Sequence, residues 1–540
     1  INMKNGLTIT SVIVGILGAI LVSASSFYIV LKFGALPWPT IMVTLLSISI
    51  LRVLKKNDLS EITITHTIMS AGSMVAGGVA FTVPGYLLLG GKLSGIRPQL
   101  LACTLIIGSV LGSLLSFTFR KKMIEEDKLE FPIGEAAYDL VISNKGKSSM
   151  KLAFIGAIFS SLIAILRDYS FRIGKPNFIP TVYTIPNTTI GFYVSPLLVG
   201  IGYILGFMNT FIWFIGGSIT YLIVRPYAIN RGIKNFDIMK NSFGMGFMIG
   251  IGISIILKIL YSYFTKNKNS KSGGIKFLLL IISLIFIGLI NFFYKLPIVF
   301  CVVLIIICII CTVIAGYSTG KTAINPMEIY AIMTILIISF LNSLLDNLKI
   351  GSSIFHTNLN VLTLFLIASI VAIACGLSGD ILNDFKSGYK LKVNPTQQFI
   401  GELIGAVVSS FVISFLFFIF FNVYKNIGPQ SSNPDLIVLQ ASIAASVVKG
   451  IPFMNLFIIG LASGILLNIG KLPVLTLGIG IYLPFFLTVP VFVGGVISLI
   501  ISKISKVTYN KFMLFSNGMM AGEAIIGVII SILAYINLFK

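Results

Sequence analysis

Charge is what this chain has least of. Only 10% of its 540 residues are charged, where a soluble domain carries roughly 25%. That excludes an ordinary water-soluble enzyme or binding module. Histidine is down to two residues, His66 and His356. His66 reads as a helix-interface residue and His356 as a loop residue. Five cysteines give no disulfide framework. Cys308 and Cys311 have CxxC spacing, but they share one apolar run with Cys301 and read as small packed residues. No His, Cys or carboxylate cluster has metal-ligand spacing, so no metal and no resident cofactor is implied. A cleavable signal peptide is not expected, because the first apolar run is long and lacks a small-residue cleavage pattern.

Apolar residues are abundant: they make up 56% of the chain, with a mean hydropathy of +1.01. Runs of about 20 apolar residues recur along its whole length, which is the length that spans a bilayer. The expected fold is all-α and polytopic, with about fourteen to sixteen transmembrane helices, internal repeats and broken or re-entrant helices. The lipid bilayer is then the first partner. The net charge of +22 does not call for nucleic acid. The Lys and Arg residues sit in short loops between apolar runs, as positive-inside bias and contact with anionic headgroups predict.

Taken in order, spans are expected at 7–31, up to about 54, 97–119, 151–166, 275–294, 296–316, 327–345, 359–378 and 399–423. The segment 62–90 is dense in small residues and is interrupted at Pro84-Gly85, the pattern of a broken transporter helix. Ser516-Asn517-Gly518 through Gly522-Glu523 is a near copy, and Ile469-Gly470-Lys471-Leu472-Pro473 echoes the earlier Phe33 to Pro37. Residues 191–224 fit one crossing with a re-entrant piece, or two crossings. Basic groups flank the apolar run 241–264 on both sides. Either that run is a hairpin or one basic loop faces out.

One acidic stretch occurs twice. Gly379-Asp380 with Asp384 is followed by Ile404-Gly405-Ala406 and Ser409-Ser410. Gly134-Glu135 with Asp139 is followed by Ile155-Gly156-Ala157 and Ser160-Ser161. This reads as a single membrane domain in two repeat halves, 1–264 and 265–540, with acidic hinge segments at a central site. A charge at mid-bilayer costs about 2.5–3.5 kcal/mol on insertion scales, so such acids tend to face a partner or a pathway.

Rival motifs are weaker. Residues 315–322 fit a relaxed Walker A pattern and contain G-x-S-x-G. Both need a strand before the loop, and the preceding apolar run is long enough to be a spanning helix. The expected structure is a Gly-ended helix, a polar turn and a new helix near Pro326. An intramembrane aspartyl protease is the alternative function, since Tyr138-Asp139 and Gly379-Asp380 resemble its motifs. It would need those aspartates face to face.

Together, several motifs resemble those of the oligopeptide transporter (OPT) family. Phe131-Pro132, Gly134 and Ala136 are similar to its Phe-Pro-x-Gly-x-Ala motif. Asp380, Asp384, Lys386, Gly388-Tyr389, Pro395 and Gln398 are similar to its acidic segment. Thr67-Ile68, Ser70-Ala71-Gly72 and Ala76-Gly77-Gly78 resemble its third segment. Tyr482-Leu483-Pro484 and Ala521-Gly522-Glu523 resemble its C-terminal ones. The resemblance runs from about residue 7 to 530 and points to the prokaryotic, yellow-stripe-like branch. Asn-Pro-Gly and Lys-Ile-Pro-Pro-Arg are absent, Glu135 is a departure, and 316–330 matches poorly.

The resemblance implies a secondary transporter in the bacterial inner membrane, not an enzyme. It would import small peptides or peptide-like metal chelates with protons, and the metal would be cargo. A homodimer is a candidate assembly. Glu402, Glu523, Asp380 and Glu135 are the proton-coupling candidates. Ser70, Gly72, Gly77, Gly78, Tyr138, Asp139, Asp384, Tyr389 and Tyr482 are the substrate-site candidates.

Overall fold

The structure is a computed structural model. It describes residues 5–34, 40–142, 146–173, 178–184, 191–233, 235–266, 273–323, 325–347, 359–429, 435–469 and 474–537. The readings of His356, Pro37 and the 470–473 echo lie outside the described residues. The helices run in the order α1 (Ile9–Phe33), α2 (Thr40–Val53), α3 (Leu59–Ala80), α4 (Pro84–Leu88), α5 (Pro98–Arg120), α6 (Pro132–Ile142) and α7 (Gly146–Ile173). Next come α8 (Pro196–Ser218), α9 (Arg225–Asn230), α10 (Phe236–Lys266), α11 (Gly273–Tyr294), α12 (Ile298–Thr322), α13 (Met327–Asn347) and α14 (Val361–Leu391). The last are α15 (Pro395–Val423), α16 (Leu439–Lys449), α17 (Met454–Ile469), α18 (Val474–Tyr482), α19 (Phe485–Ile504) and α20 (Lys506–Asn537). Among the described residues, eleven helical segments are long and apolar enough to cross a membrane, and three shorter apolar helices accompany them. The expected all-α polytopic fold is what forms. A short antiparallel ribbon, β1 (Val182–Thr184) with β2 (Gly191–Tyr193), is the exception.

The chain forms two compact units, and each draws on both sequence halves. Unit one comprises Ile1–Asn144, Ile256–Phe418 and Ile437–Lys449; unit two comprises Lys145–Ile255, Ile419–Leu436 and Gly450–Lys540. In lipid there is little hydrophobic drive between helices, so close packing and hydrogen bonds hold them together. Unit one packs α1 and α14 on α3, with α5, α12 and α13 against α14. Gly405 of α15 lies so close to α3 that a Cβ there would run into the Ile68 carbonyl. Unit two pairs α7 with α20 and α8 with α19. There Gly518 and Gly522 face the carbonyls of Ala153 and Ala157, and Gly156 faces that of Phe515.

Several expectations change in detail. The acidic stretch 379–389 is not a hinge: α14 runs unbroken through it for 31 residues. Asn360 caps its start by accepting from the Thr363 N–H at 2.7 Å. A repulsion of about 0.2–0.5 kcal/mol between acids at i and i+4 is too small to break a buried helix. Residues 315–322 are helical to the end of α12 rather than a turn, and the Gly320 carbonyl accepts from the Phe131 N–H at 2.9 Å. The copy at 516–523 lies mid-helix in unbroken α20, because its glycines serve close approach to α7. α10 is one continuous helix from Phe236 to Lys266, so the hairpin is excluded. The interruption after α3 does occur, at 81–83. A sharper break falls at Gly206 within α8, with φ 78° and ψ 167°, a conformation open essentially to glycine alone.

Candidate functional site

Unit one buries a group of acids that, among the described residues, no lysine or arginine pairs with. Asp380 and Asp384 stand one turn apart on α14, and Glu402 comes from the first half of α15. Their exposures are 0%, 1% and 0%, and Glu402 lies within the electrostatic reach of both aspartates. The Ser70 hydroxyl of α3 donates to Asp384 Oδ2 at 2.7 Å. Both oxygens of Asp380, both of Glu402 and Oδ1 of Asp384 accept no hydrogen bond from the described residues. Gln398 ties the three helices together, donating through Nε2 to the Asp384 carbonyl at 2.7 Å and to the Thr67 hydroxyl at 3.3 Å. Gly388 leaves room for that amide, since a Cβ there would strike it. Elsewhere on α3, Gly72 lies against the Ser409 hydroxyl and the Ser23 side chain of α1, and Gly78 against Ile373 of α14. Gly77 is buried.

The two copies of the acidic stretch touch, but not acid to acid. Asn383 Oδ1 accepts from the Gly134 N–H at 3.0 Å. Lys386 Nζ donates to the Leu129 carbonyl at 2.7 Å and stands 3.7 Å from Glu135. Glu135 is half-exposed and pairs with Lys390. The Lys390 ammonium lies 4.9 Å from the centre of the Tyr138 ring. Asp139 and Tyr389 are exposed. An exposed Asp139 and a fully buried Asp380 are not the like-placed pair an aspartyl protease needs, so that alternative gains no support.

Unit two holds the opposite kind of acid. Glu523 of α20 is fully buried and fully engaged. It accepts from Arg167 Nη1 at 2.7 Å, from the Ser195 hydroxyl at 2.9 and 3.0 Å, and from the Leu197 N–H at 2.9 Å. Ser195 caps α8 and accepts from the Leu198 N–H at 3.2 Å, so Glu523 also meets the favourable positive end of a helix. Arg167 forks onto Asp168 at 2.9 and 2.5 Å, donates to the Val194 carbonyl at 2.7 Å, and lies over the Tyr193 ring. Tyr482, also in unit two, has a buried ring, and its carbonyl accepts from Lys240 Nζ at 3.2 Å.

Of the proposed site residues, the structure therefore gathers Asp380, Asp384, Glu402 and Ser70. It separates them from Glu135 and Tyr138 at the α6–α14 contact, and places Glu523 and Tyr482 in unit two. Sequence reading missed Arg167, whose partner Glu523 lies 356 positions away. The available signal was an Arg-Asp pair closing an apolar run. It also set aside His66, which stands 3.8 Å from Asp384.

Comparison with known proteins gives a consistent result. The family described as OPT oligopeptide transporter protein matches residues 6–251 and 273–534. The chain is also similar to a Haemophilus influenzae protein named "Putative oligopeptide transporter", at 25% identity over 93% of this chain and 92% of that one.

Proposed function

The chain belongs to the OPT oligopeptide transporter family, and from that premise we propose that it is a proton-coupled importer with its proton seat at Asp380, Asp384 and Glu402. Its substrates are small oligopeptides or peptide-like metal chelates, of siderophore or metal–nicotianamine type, with the metal as cargo. It works in a bacterial inner membrane, with a homodimer as the assembly to test.

One observation carries this reading: five carboxylate oxygens in unit one are buried and accept nothing. Ionising all three acids would bury three negative charges beside a single imidazole, His66, with no lysine or arginine paired to them among the described residues, a state that costs several kcal/mol per ion. Binding protons removes that cost, and releasing them needs access to water, which alternating access supplies. The other two proton candidates are better provided for. Glu523 shares Arg167 with Asp168 and also accepts from Ser195 and the Leu197 N–H, and Glu135 pairs with lysines, so both have donors that the acids of unit one lack. Ser70, which donates to Asp384, is the nearest substrate candidate, with Gly72, Gly77 and Gly78 on the same helix.

The test is uptake of trialanine and of an iron chelate into proteoliposomes under an inward proton gradient. Wild-type protein accumulates at least one probe, and a triple Asp380→Asn, Asp384→Asn, Glu402→Gln variant loses the gradient dependence. Undiminished gradient-driven uptake by the variant removes the proton seat. Wild-type protein that takes up neither probe in response to the gradient removes the coupled-import reading.

A further inference from the structure

His66 is buried in α3 at 1% exposure. Its Nε2 lies 3.8 Å from Asp384 Oδ1 and 3.5 Å from the Thr44 hydroxyl. Oδ2 of that aspartate already takes the Ser70 hydroxyl; Oδ1 takes no hydrogen bond. The imidazole edge thus stands beside the vacant acceptor of a fully buried acid. Among the described residues, no lysine or arginine pairs with Asp384.

We infer that His66 and Asp384 are a proton-exchange pair, in which His66 decides how many protons the acids of unit one hold. The inference rests on the proton-coupled reading above. In the exchange, the Asp384 O–H bond breaks and an Nε2–H bond forms. The products are an imidazolium and a carboxylate, and the net charge is unchanged. At 3.8 Å the groups are in ion-pair range but beyond a hydrogen bond, so the transfer needs a closure of roughly 1 Å, a small rotation of either side chain. With His66 protonated, Asp384 is held as the anion, and further protons reside on Asp380 or Glu402. With His66 neutral, Asp384 is itself a proton carrier.

The charged groups around the pair are otherwise committed. From α3, Glu61 is engaged by the Thr8 hydroxyl. α2 presents Thr44. From α14, Lys386 turns to the Leu129 carbonyl and Glu135. From α5, Arg120 pairs with Glu125 at 2.9 Å and stacks over Phe385. From α6, Glu135 pairs with Lys390 and Asp139 is exposed. α15 brings Glu402 and the neutral Gln398, and α13 carries Glu328 at its start. Lys32 lies at the far end of α1 from the Thr8–Glu61 contact, over Tyr28.

Two measurements test the pair. The chain has two histidines, so a His356→Gln protein carries a single imidazole. Its 13C-labelled His66 signal in nanodiscs is followed against pH, with and without Asp384→Asn. The pair predicts that removing the carboxylate moves the pH interval of the His66 response by about one unit or more; an unmoved interval overturns it. In proteoliposomes, His66→Gln removes the cation that holds Asp384 ionised. The pH of half-maximal gradient-driven uptake then moves upward by about one unit; an unchanged profile also overturns the pair. The spectroscopic arm needs no transport, so it stands where His66→Gln fails to fold and separates failure of the pair from failure of the transport reading. A His66 that is only a packing residue, held by Thr44, moves neither readout.

Discussion

Arg167 and Glu402 are both buried polar side chains in a chain that has few, and their surroundings predict opposite responses to substitution. Arg167 donates four hydrogen bonds, three of them to Asp168 and Glu523, and so leaves neither acid to face the interior alone. Removing one partner of a buried ion pair costs about 3–5 kcal/mol, mostly because the other charge is stranded. Arg167→Met is therefore expected to lower the thermal midpoint sharply in detergent. Glu402 stands beside the Asp384 carboxyl and pairs with no cation among the described residues, so Glu402→Gln strands no buried charge and is expected to leave the midpoint unchanged or raise it. Thermal scans of both variants beside wild type check the contrast; similar losses in the two would mean that Glu402 also has a structural partner. The sequence pointed to both glutamates as equals. What separates them is a cation supplied across 356 positions of chain, and no local pattern encodes that.

At the scale of helices, the apolar runs did most of the work. The expected 275–294, 327–345 and 399–423 fall within a few residues of α11, α13 and α15, because twenty apolar residues in lipid must satisfy their backbone internally. Polar stretches misled for the same reason in reverse. Residues 379–389 look like a hinge in hydropathy, yet 379–388 are buried in α14, which packs on α3, α5, α12 and α13. The β1–β2 ribbon was not legible, since two three-residue strands leave no periodicity to read. Glycine was ambiguous as well. In α20 it means contact rather than breakage, and this has a test. Gly518 faces a backbone carbonyl of α7, whereas Gly288 of α11 has nothing within 4 Å of an added Cβ. Gly518→Leu is expected to lower the thermal midpoint and Gly288→Leu to leave it nearly unchanged. Equal effects would mean that helix propensity, worth up to about 1 kcal/mol at a glycine, outweighs packing here.

Across the whole chain, 17 acids face 39 basic residues, so an acid without a cation is not forced by composition. Among the described residues, Asp380, Asp384 and Glu402 in unit one pair with no lysine or arginine, whereas the buried Glu523 of unit two pairs with Arg167. This asymmetry separates two things a transporter does: moving substrate, and driving it uphill. A gradient of one pH unit supplies about 1.4 kcal/mol per proton, enough for about tenfold accumulation of a neutral substrate with one proton. A chain whose seat is neutralised by Asp380→Asn, Asp384→Asn and Glu402→Gln has no reason to lose the substrate path itself. It is expected to exchange labelled trialanine across the membrane at equilibrium while its uphill ratio falls to about one. If exchange disappears together with accumulation, those carboxyls hold the substrate and not only the proton, and the seat assigned to unit one is a peptide-binding site instead.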